Sequence, residues 1–174
     1  MNDDQLIQRI CDTALLRGEF TLRSGRKSNY YLDKYLFETQ PDILQSLGRK
    51  FAEHVDDNVD RLAGAELGGI PLVTATAIAT GKPTVLIRNQ KKDYGTAKQL
   101  EGKLEQGDRI LIVEDVATTG GQVLEAAKVL EAAGAKIVKI VAVIDREEGA
   151  RENIEAAGYA FASLFTKASL GINE

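Results

Sequence analysis

The sequence predicts an α/β fold in which a parallel sheet is covered by helices on both faces. Three observations predict it. After residue 41, runs of β-branched and aliphatic residues alternate with helix-spaced apolar series, the pattern of strand, helix, strand. The unusual residues fall at the carboxyl ends of those strands: Glu66 to Gly69, Arg88 to Tyr94, Glu114 to Gly121 and Asp145-Arg146, where ligands sit in open parallel sheets. The chain has 174 residues, 44% hydrophobic and 28% charged, enough for one domain with a sizeable core.

Taken in order, residues 4–17 carry helix-spaced Leu6, Ile7, Ile10, Cys11, Ala14 and Leu15 and end at Gly18, a helix stop. From Phe20 to Asp33, two extended, alternating pieces flank a basic turn containing Ser24-Gly25, which predicts a small hairpin outside the main sheet. Composition alone is equally consistent with a basic surface turn whose tyrosines pack on the core. Pro41 opens a second amphipathic helix with Ile43, Leu44, Leu47, Phe51 and Val55. Strand Arg61 to Glu66 leads through Leu67-Gly68-Gly69 into an Ala/Thr-rich helix ending at Thr80. Those glycines suit either a tight turn or the close approach of a diphosphate to main-chain N–H groups.

Strand Pro83 to Arg88 is followed by a polar, cationic segment without apolar periodicity to about Gly107. A patternless stretch of that length suits a lid or a solvated charged hairpin. Strand Arg109 to Val113 follows, with a helix carrying Val123, Leu124, Ala127 and Leu130. Strand Lys136 to Asp145, a helix with Ala150, Ile154 and Ala157, and strand Tyr159 to Phe165 complete the chain. No repeat or linker interrupts it, so a single domain over 1–174 is expected.

The chemistry concentrates in Glu114-Asp115-Val116-Ala117-Thr118-Thr119-Gly120-Gly121-Gln122. Two hydroxyls and two glycines precede a helix whose positive dipole end and unpaired amides favour a phosphate. The two carboxylates cannot bind that phosphate. They suit vicinal hydroxyls or a shared divalent cation, and a phosphate beside a diol describes a ribose 5-phosphate.

Several function classes are disfavoured. The net charge of −4 provides no basic field for nucleic acid, although cations bunch at Arg23-Arg26-Lys27 and Arg88-Lys91-Lys92. Cys11 sits in an apolar helical series and reads as a core residue, and His54 has no second His or Cys to share a metal. No apolar run approaches the roughly 20 residues that span a bilayer, and the acidic start Met1-Asn2-Asp3-Asp4 is unlike a secretory signal. A cytoplasmic location is expected.

The Glu114 to Gln122 stretch resembles the phosphoribosyl diphosphate motif of type I phosphoribosyltransferases. With Phe20-Thr21-Leu22-Arg23-Ser24-Gly25-Arg26-Lys27-Ser28 and Tyr30-Tyr31, the loop from Arg88 to Gly95, and Ile144-Asp145-Arg146-Glu147-Glu148-Gly149, the chain is similar to the orotate phosphoribosyltransferase family from about residue 5 to 165. The resemblance implies the family's parallel-sheet fold with a small N-terminal hood. Residues 1–40 would form the first helix and hood, and 41–174 a core with a mobile loop at about 88–107. It implies transfer of ribose 5-phosphate from phosphoribosyl diphosphate to orotate, in pyrimidine synthesis, with Mg²⁺ held mainly through the diphosphate substrate and water.

By position, Glu114 and Asp115 would hold the ribose hydroxyls and Val116, Ala117, Thr118, Thr119, Gly120, Gly121 and Gln122 the 5-phosphate. Arg146 would pair with the orotate carboxylate, Thr118 would contact the base, and Arg23, Tyr30 and Tyr31 would close over it. Arg88, Lys91, Lys92 and Tyr94 would grip the diphosphate of the neighbouring subunit's site, in a homodimer, with Lys92 meeting charge in the transition state. The sequence departs from the family at Asn89, Tyr94, Arg23 and Leu67-Gly68, where Lys, His, Lys and an aromatic-Lys pair are common. Two rivals stay open: a purine or xanthine phosphoribosyltransferase, which gives Arg146 no carboxylate to bind, and a regulator that binds phosphoribosyl diphosphate without turnover.

Overall fold

The computed structural model describes residues 1–21, 25, 27–90 and 99–172. The first helix, α1 (Asp3–Ala14), starts with a capping box: the Asn2 side chain accepts from the Gln5 amide, and the Gln5 side chain accepts from the Asn2 amide. It stops four residues before Gly18. Leu15 is already extended and pairs with Leu32, because β1 (Leu15–Thr21) and β2 (Lys27–Leu32) form an antiparallel hairpin. Gly18, at φ 151°, lies where the ladder shifts register between Arg17 and Phe20 and serves a bulge rather than a helix end. Cross-strand hydrogen bonds here outweigh the helical spacing of Leu15. The hairpin stands apart from the main sheet, as its sequence predicts.

A short helix that periodicity does not reveal, α2 (Lys34–Glu38), follows, with Asp33 capping the Tyr35 amide. Then comes α3 (Pro41–Ala52), which stops short of Val55; His54 falls in the turn beyond it, half-buried, with Nδ1 3.0 Å from Lys139 Nζ. The rest of the chain is β3 (Arg61–Ala65), α4 (Gly69–Thr80), β4 (Thr84–Ile87), β5 (Leu100–Glu101), β6 (Arg109–Ala117), α5 (Gly121–Ala132), β7 (Lys136–Asp145), α6 (Ala150–Ala156) and β8 (Phe161–Thr166). Strand β5 corrects the expectation of a patternless 88–107 segment: two residues pair antiparallel with β4 at the sheet edge, too few to leave a sequence period.

The sheet order is β5-β4-β3-β6-β7-β8, parallel except for β5. Alternation along β6 sends Leu111 and Val113 to one face, against Leu6, Ile10, Phe37, Ile43, Leu47 and Leu72 of the first four helices. Ile110 and Ile112 point to the other, against Val123, Ala127, Leu130 and Ile154 of α5 and α6. Fully burying each such large side chain contributes about 2 kcal/mol, so both faces fix β6 at the centre of the fold. Cys11 is half-buried at the edge of the first core, Sγ 3.7 Å from the Leu170 carbonyl oxygen, and burial pushes its thiol pKa up. No described helix is long and apolar enough to cross a membrane.

Candidate active site

The register of β6 creates the site. Its last partner on β3 is Gly64, opposite Val113, whereas pairing with β7 continues through Glu114, Val116 and Ala117. Past Val113 the sheet therefore splits, and a crevice opens where β3 turns into α4. The same alternation that sorts the core sends Asp115 toward the α1–α4 side and Glu114 toward α5. Both line one cavity of about 680 Å³, together with Lys34, Glu66, Leu67, Arg88, Gln122 and others.

Asp115 is 3% exposed and held at both oxygens. Its Oδ1 accepts from the Val116 amide at 2.5 Å, and its Oδ2 accepts from Lys34 Nζ at 2.6 Å. Burial alone would lower the Lys34 pKa, but the Asp115 charge and hydrogen bond outweigh it and the net shift is upward. Behind them lies Glu38, 1% exposed, neither oxygen of which has a hydrogen-bond partner at ordinary distance and angle. Burial, with the neighbouring Asp115 charge, pushes its carboxyl up to about 8, so Glu38 carries a proton at neutral pH. Glu114 is shifted upward too, by burial and by Asp115; its Oε1 accepts from the Asp115 amide at 3.0 Å.

Gly68 is what allows the acids this close. A Cβ there would collide with Asp115 Oδ2 and lie 2.9 Å from both Glu38 oxygens. The Glu66–Leu67 peptide just before it is cis.

Beside the crevice, Val116 to Val123 line a smaller cavity of about 270 Å³. Gly120 is the N-cap of α5 with φ 81° and no side-chain capping bond, so the first amides of a three-turn helix face this hollow. The loop is braced from α6, where Asn153 Nδ2 donates to the Thr119 carbonyl at 2.9 Å. Glu114, Gly121 and Gln122 line both cavities, which places the carboxylates and the anion cradle on one continuous surface.

Arg146 follows β7, its amide donating to the Ala117 carbonyl at 2.9 Å, which ties it to the base of the cradle. Its guanidinium donates to the Tyr30 hydroxyl at 3.2 Å and pairs with Glu148 at 2.9 Å. Tyr30 is buried, whereas Tyr31, on the opposite face of β2, is 44% exposed and packs on Phe20 with ring centroids 5.7 Å apart. Only one of the two tyrosines thus approaches Arg146. Arg88 reaches the cavity wall, 3.6 Å from Glu101, and Glu66 Oε1 accepts from the Asn89 amide at 2.6 Å. Arg23, Lys91, Lys92 and Tyr94 lie outside the described residues.

Sequence reasoning did not single out Lys34 or Glu38. Their i, i+4 spacing puts both on one face of α2, but a five-residue helix gives too short a run to show it.

Residues 37–157, which carry this cleft and its acids, match the phosphoribosyl transferase domain family model. The chain belongs to this family. Among individual phosphoribosyltransferases it is 48% identical to the orotate phosphoribosyltransferase of Thermococcus gammatolerans over 162 residues, 91% of this chain and 86% of that one. The solved Mycobacterium tuberculosis orotate phosphoribosyltransferase in complex with Fe(III) dicitrate superimposes with TM-score 0.87 at 32% identity, covering 97% of this chain and 98% of that one. The same enzyme in complex with 5-phospho-α-D-ribosyl 1-diphosphate gives TM-score 0.79 at 31% identity, covering 97% and 98%. Within such a phosphoribosyltransferase frame, the 270 Å³ hollow has the donors for a phosphate and the 680 Å³ cavity the acceptors for sugar hydroxyls.

Proposed function

We infer that this chain transfers ribose 5-phosphate from phosphoribosyl diphosphate to N1 of orotate, giving orotidine 5′-monophosphate and diphosphate in pyrimidine biosynthesis. What supports the choice of base is Arg146: its amide is held by the Ala117 carbonyl at the end of β6 and its guanidinium lies beside the Tyr30 hydroxyl, where this reading puts the base. A guanidinium there offers a carboxylate two parallel hydrogen bonds, and a purine has no carboxylate to accept them.

In this reading Val116 to Gln122 hold the 5-phosphate, Glu114 and Asp115 accept from the ribose hydroxyls, and Thr118 contacts the base. Tyr30 supports Arg146, while Arg23 and Tyr31 complete the hood over the ring. As the bond to diphosphate breaks, positive charge grows on the ribose and negative charge on the leaving group. The carboxylates of Glu114 and Asp115 would stabilise the first, and Arg88, Lys91, Lys92 and Tyr94 would stabilise the second. Orotate is already an anion at neutral pH and needs little help from a base, so the reaction asks for no histidine.

Among the described residues no three His, Cys, Asp or Glu side chains are placed to share a metal. In this reading Mg²⁺ is carried mainly on diphosphate oxygens and water, the hard oxygen ligands it prefers. Bound there, the ion would neutralise leaving-group charge. The remaining elements of the reading are a single domain over 1–174, with residues 1–40 as helix and hood and 41–174 as core, a homodimer in which loop 88–107 reaches the neighbouring site, and a cytoplasmic location.

The test offers purified protein, phosphoribosyl diphosphate and Mg²⁺ with orotate, uracil, hypoxanthine, adenine or xanthine in turn, and follows loss of base spectroscopically. Orotate alone should be consumed. Consumption of a purine, or binding without turnover, overturns the assignment.

A further inference from the structure

We propose that Lys34 is a further substrate-binding residue, whose ammonium bridges the Asp115 carboxylate and the diphosphate of phosphoribosyl diphosphate. This rests on the reading of the reaction given above.

The Lys34 side chain is 30% exposed and that of Asp115 4%, so the ammonium lies between a buried acid and the open 680 Å³ cavity that both line. An ammonium has three donors, and the hydrogen bond to Asp115 Oδ2 uses one. Among the described residues no second acceptor takes a hydrogen bond from it. The ammonium also lies over the Tyr35 ring, Nζ 5.3 Å from the centroid, a contact that takes up no hydrogen-bond donor and leaves the remaining N–H groups to meet an anion.

The rest of the cavity wall makes that cation necessary. Glu66, Glu114, Asp115 and Glu125 line it, and its described cations are Lys34 and Arg88. A diphosphate entering this space meets carboxylates unless a cation stands between. The β3–α4 turn cannot supply one from position 68, since even a Cβ at Gly68 would run into Asp115 and Glu38. The cation comes instead from α2, across a sequence gap of 81 residues.

This placement also joins the two ends of the substrate. Lys34 is the first residue of α2, separated by Asp33 alone from the β2 strand whose Tyr30 touches Arg146. The hood segment thus carries the contact that supports the base side and the ammonium proposed for the leaving group, only four residues apart.

Equilibrium binding to wild type and Lys34→Met tests it, with Mg²⁺ and phosphoribosyl diphosphate, Mg²⁺ and inorganic diphosphate, or orotidine 5′-monophosphate. A lost charge-assisted hydrogen bond should weaken the two diphosphate ligands about 10- to 100-fold. The nucleotide, which has no diphosphate, should change less than about 3-fold. Lys34→Arg should recover most of the loss. Equal weakening of the nucleotide would make Lys34 only a positioning residue for Asp115, and unchanged diphosphate binding would remove it from the site; either overturns the proposal. If wild type binds no phosphoribosyl diphosphate or leaves orotate intact, the functional reading itself falls. If Lys34→Met does not fold, acylation footprinting of wild type decides. Diphosphate with Mg²⁺ must slow labelling of Lys34 while orotidine 5′-monophosphate does not, and the reverse overturns the proposal.

Discussion

Replacing Glu38 by Gln should make the protein more stable at neutral pH, and the gain should depend on pH in a way that identifies its cause. Glu38 is 1% exposed beside the Asp115 carboxylate, and its carboxyl titrates at about 8 rather than the ordinary 4.5. In the unfolded chain the same carboxyl loses its proton above about 4.5. Between those limits the unfolded state binds fewer protons than the native one, so native stability falls as pH rises and levels off above about 8. Each pH unit is worth about 1.4 kcal/mol, so by pH 7 the native protein has lost about 3 kcal/mol of the stability it has at low pH through this one group.

Gln has the size of a protonated Glu, is neutral beside the Asp115 carboxylate and cannot ionise in the unfolded chain. Allowing for imperfect fit of the second amide hydrogen, Glu38→Gln should be about 1–3 kcal/mol more stable at pH 7 to 8 and near parity at pH 5. Urea unfolding of both proteins from pH 5 to 9 measures the difference, in which the common contribution of Glu114 largely cancels. A difference that is flat with pH, or a wild type more stable at pH 8, would refute a buried, protonated Glu38.

Three further outcomes are expected. Arg146→Ala should raise KM for orotate about 10- to 100-fold, the worth of a lost bidentate ion pair, with little change in KM for phosphoribosyl diphosphate; equal effects on both would remove Arg146 from the base side. Gly120→Ala combines a φ of 81° with a Cβ 3.0 Å from Ile154 Cγ1; it should cost about 1–2 kcal/mol in urea unfolding and weaken binding of the 5-phosphate end, read with ribose 5-phosphate as ligand. Gly68→Ala, whose φ of −66° suits any residue, should leave backbone strain unchanged but displace Asp115, lowering kcat/KM about 10-fold or more; full activity would show that the acids have room to move.

The sequence by itself determined the alternation of strands and helices after Pro41, the separate hairpin and the position of the acid pair ahead of a Thr/Gly turn. These are local properties: a period of 2 or 3.6 and a Thr/Gly turn ahead of a helical series are each written in about ten consecutive residues. The end of β6, expected at Val113, lies at Ala117, because pairing with β7 carries the strand through both acids. The sequence also misplaced the end of α1, since Leu15 keeps a helical spacing while its hydrogen bonds go to Leu32 on β2, and it left α2 and β5 unseen because each is shorter than the window a period needs. Only the tertiary structure decided the order β5-β4-β3-β6-β7-β8, which splits the sheet beyond Val113 and opens the cavity. Only it set Lys34 on Asp115, buried Glu38 behind them and turned Tyr30 but not Tyr31 toward Arg146. Charge and proton affinity at this site depend on which groups meet after the chain has folded and on how much water they lose in meeting, and neither quantity has a local signature in the chain.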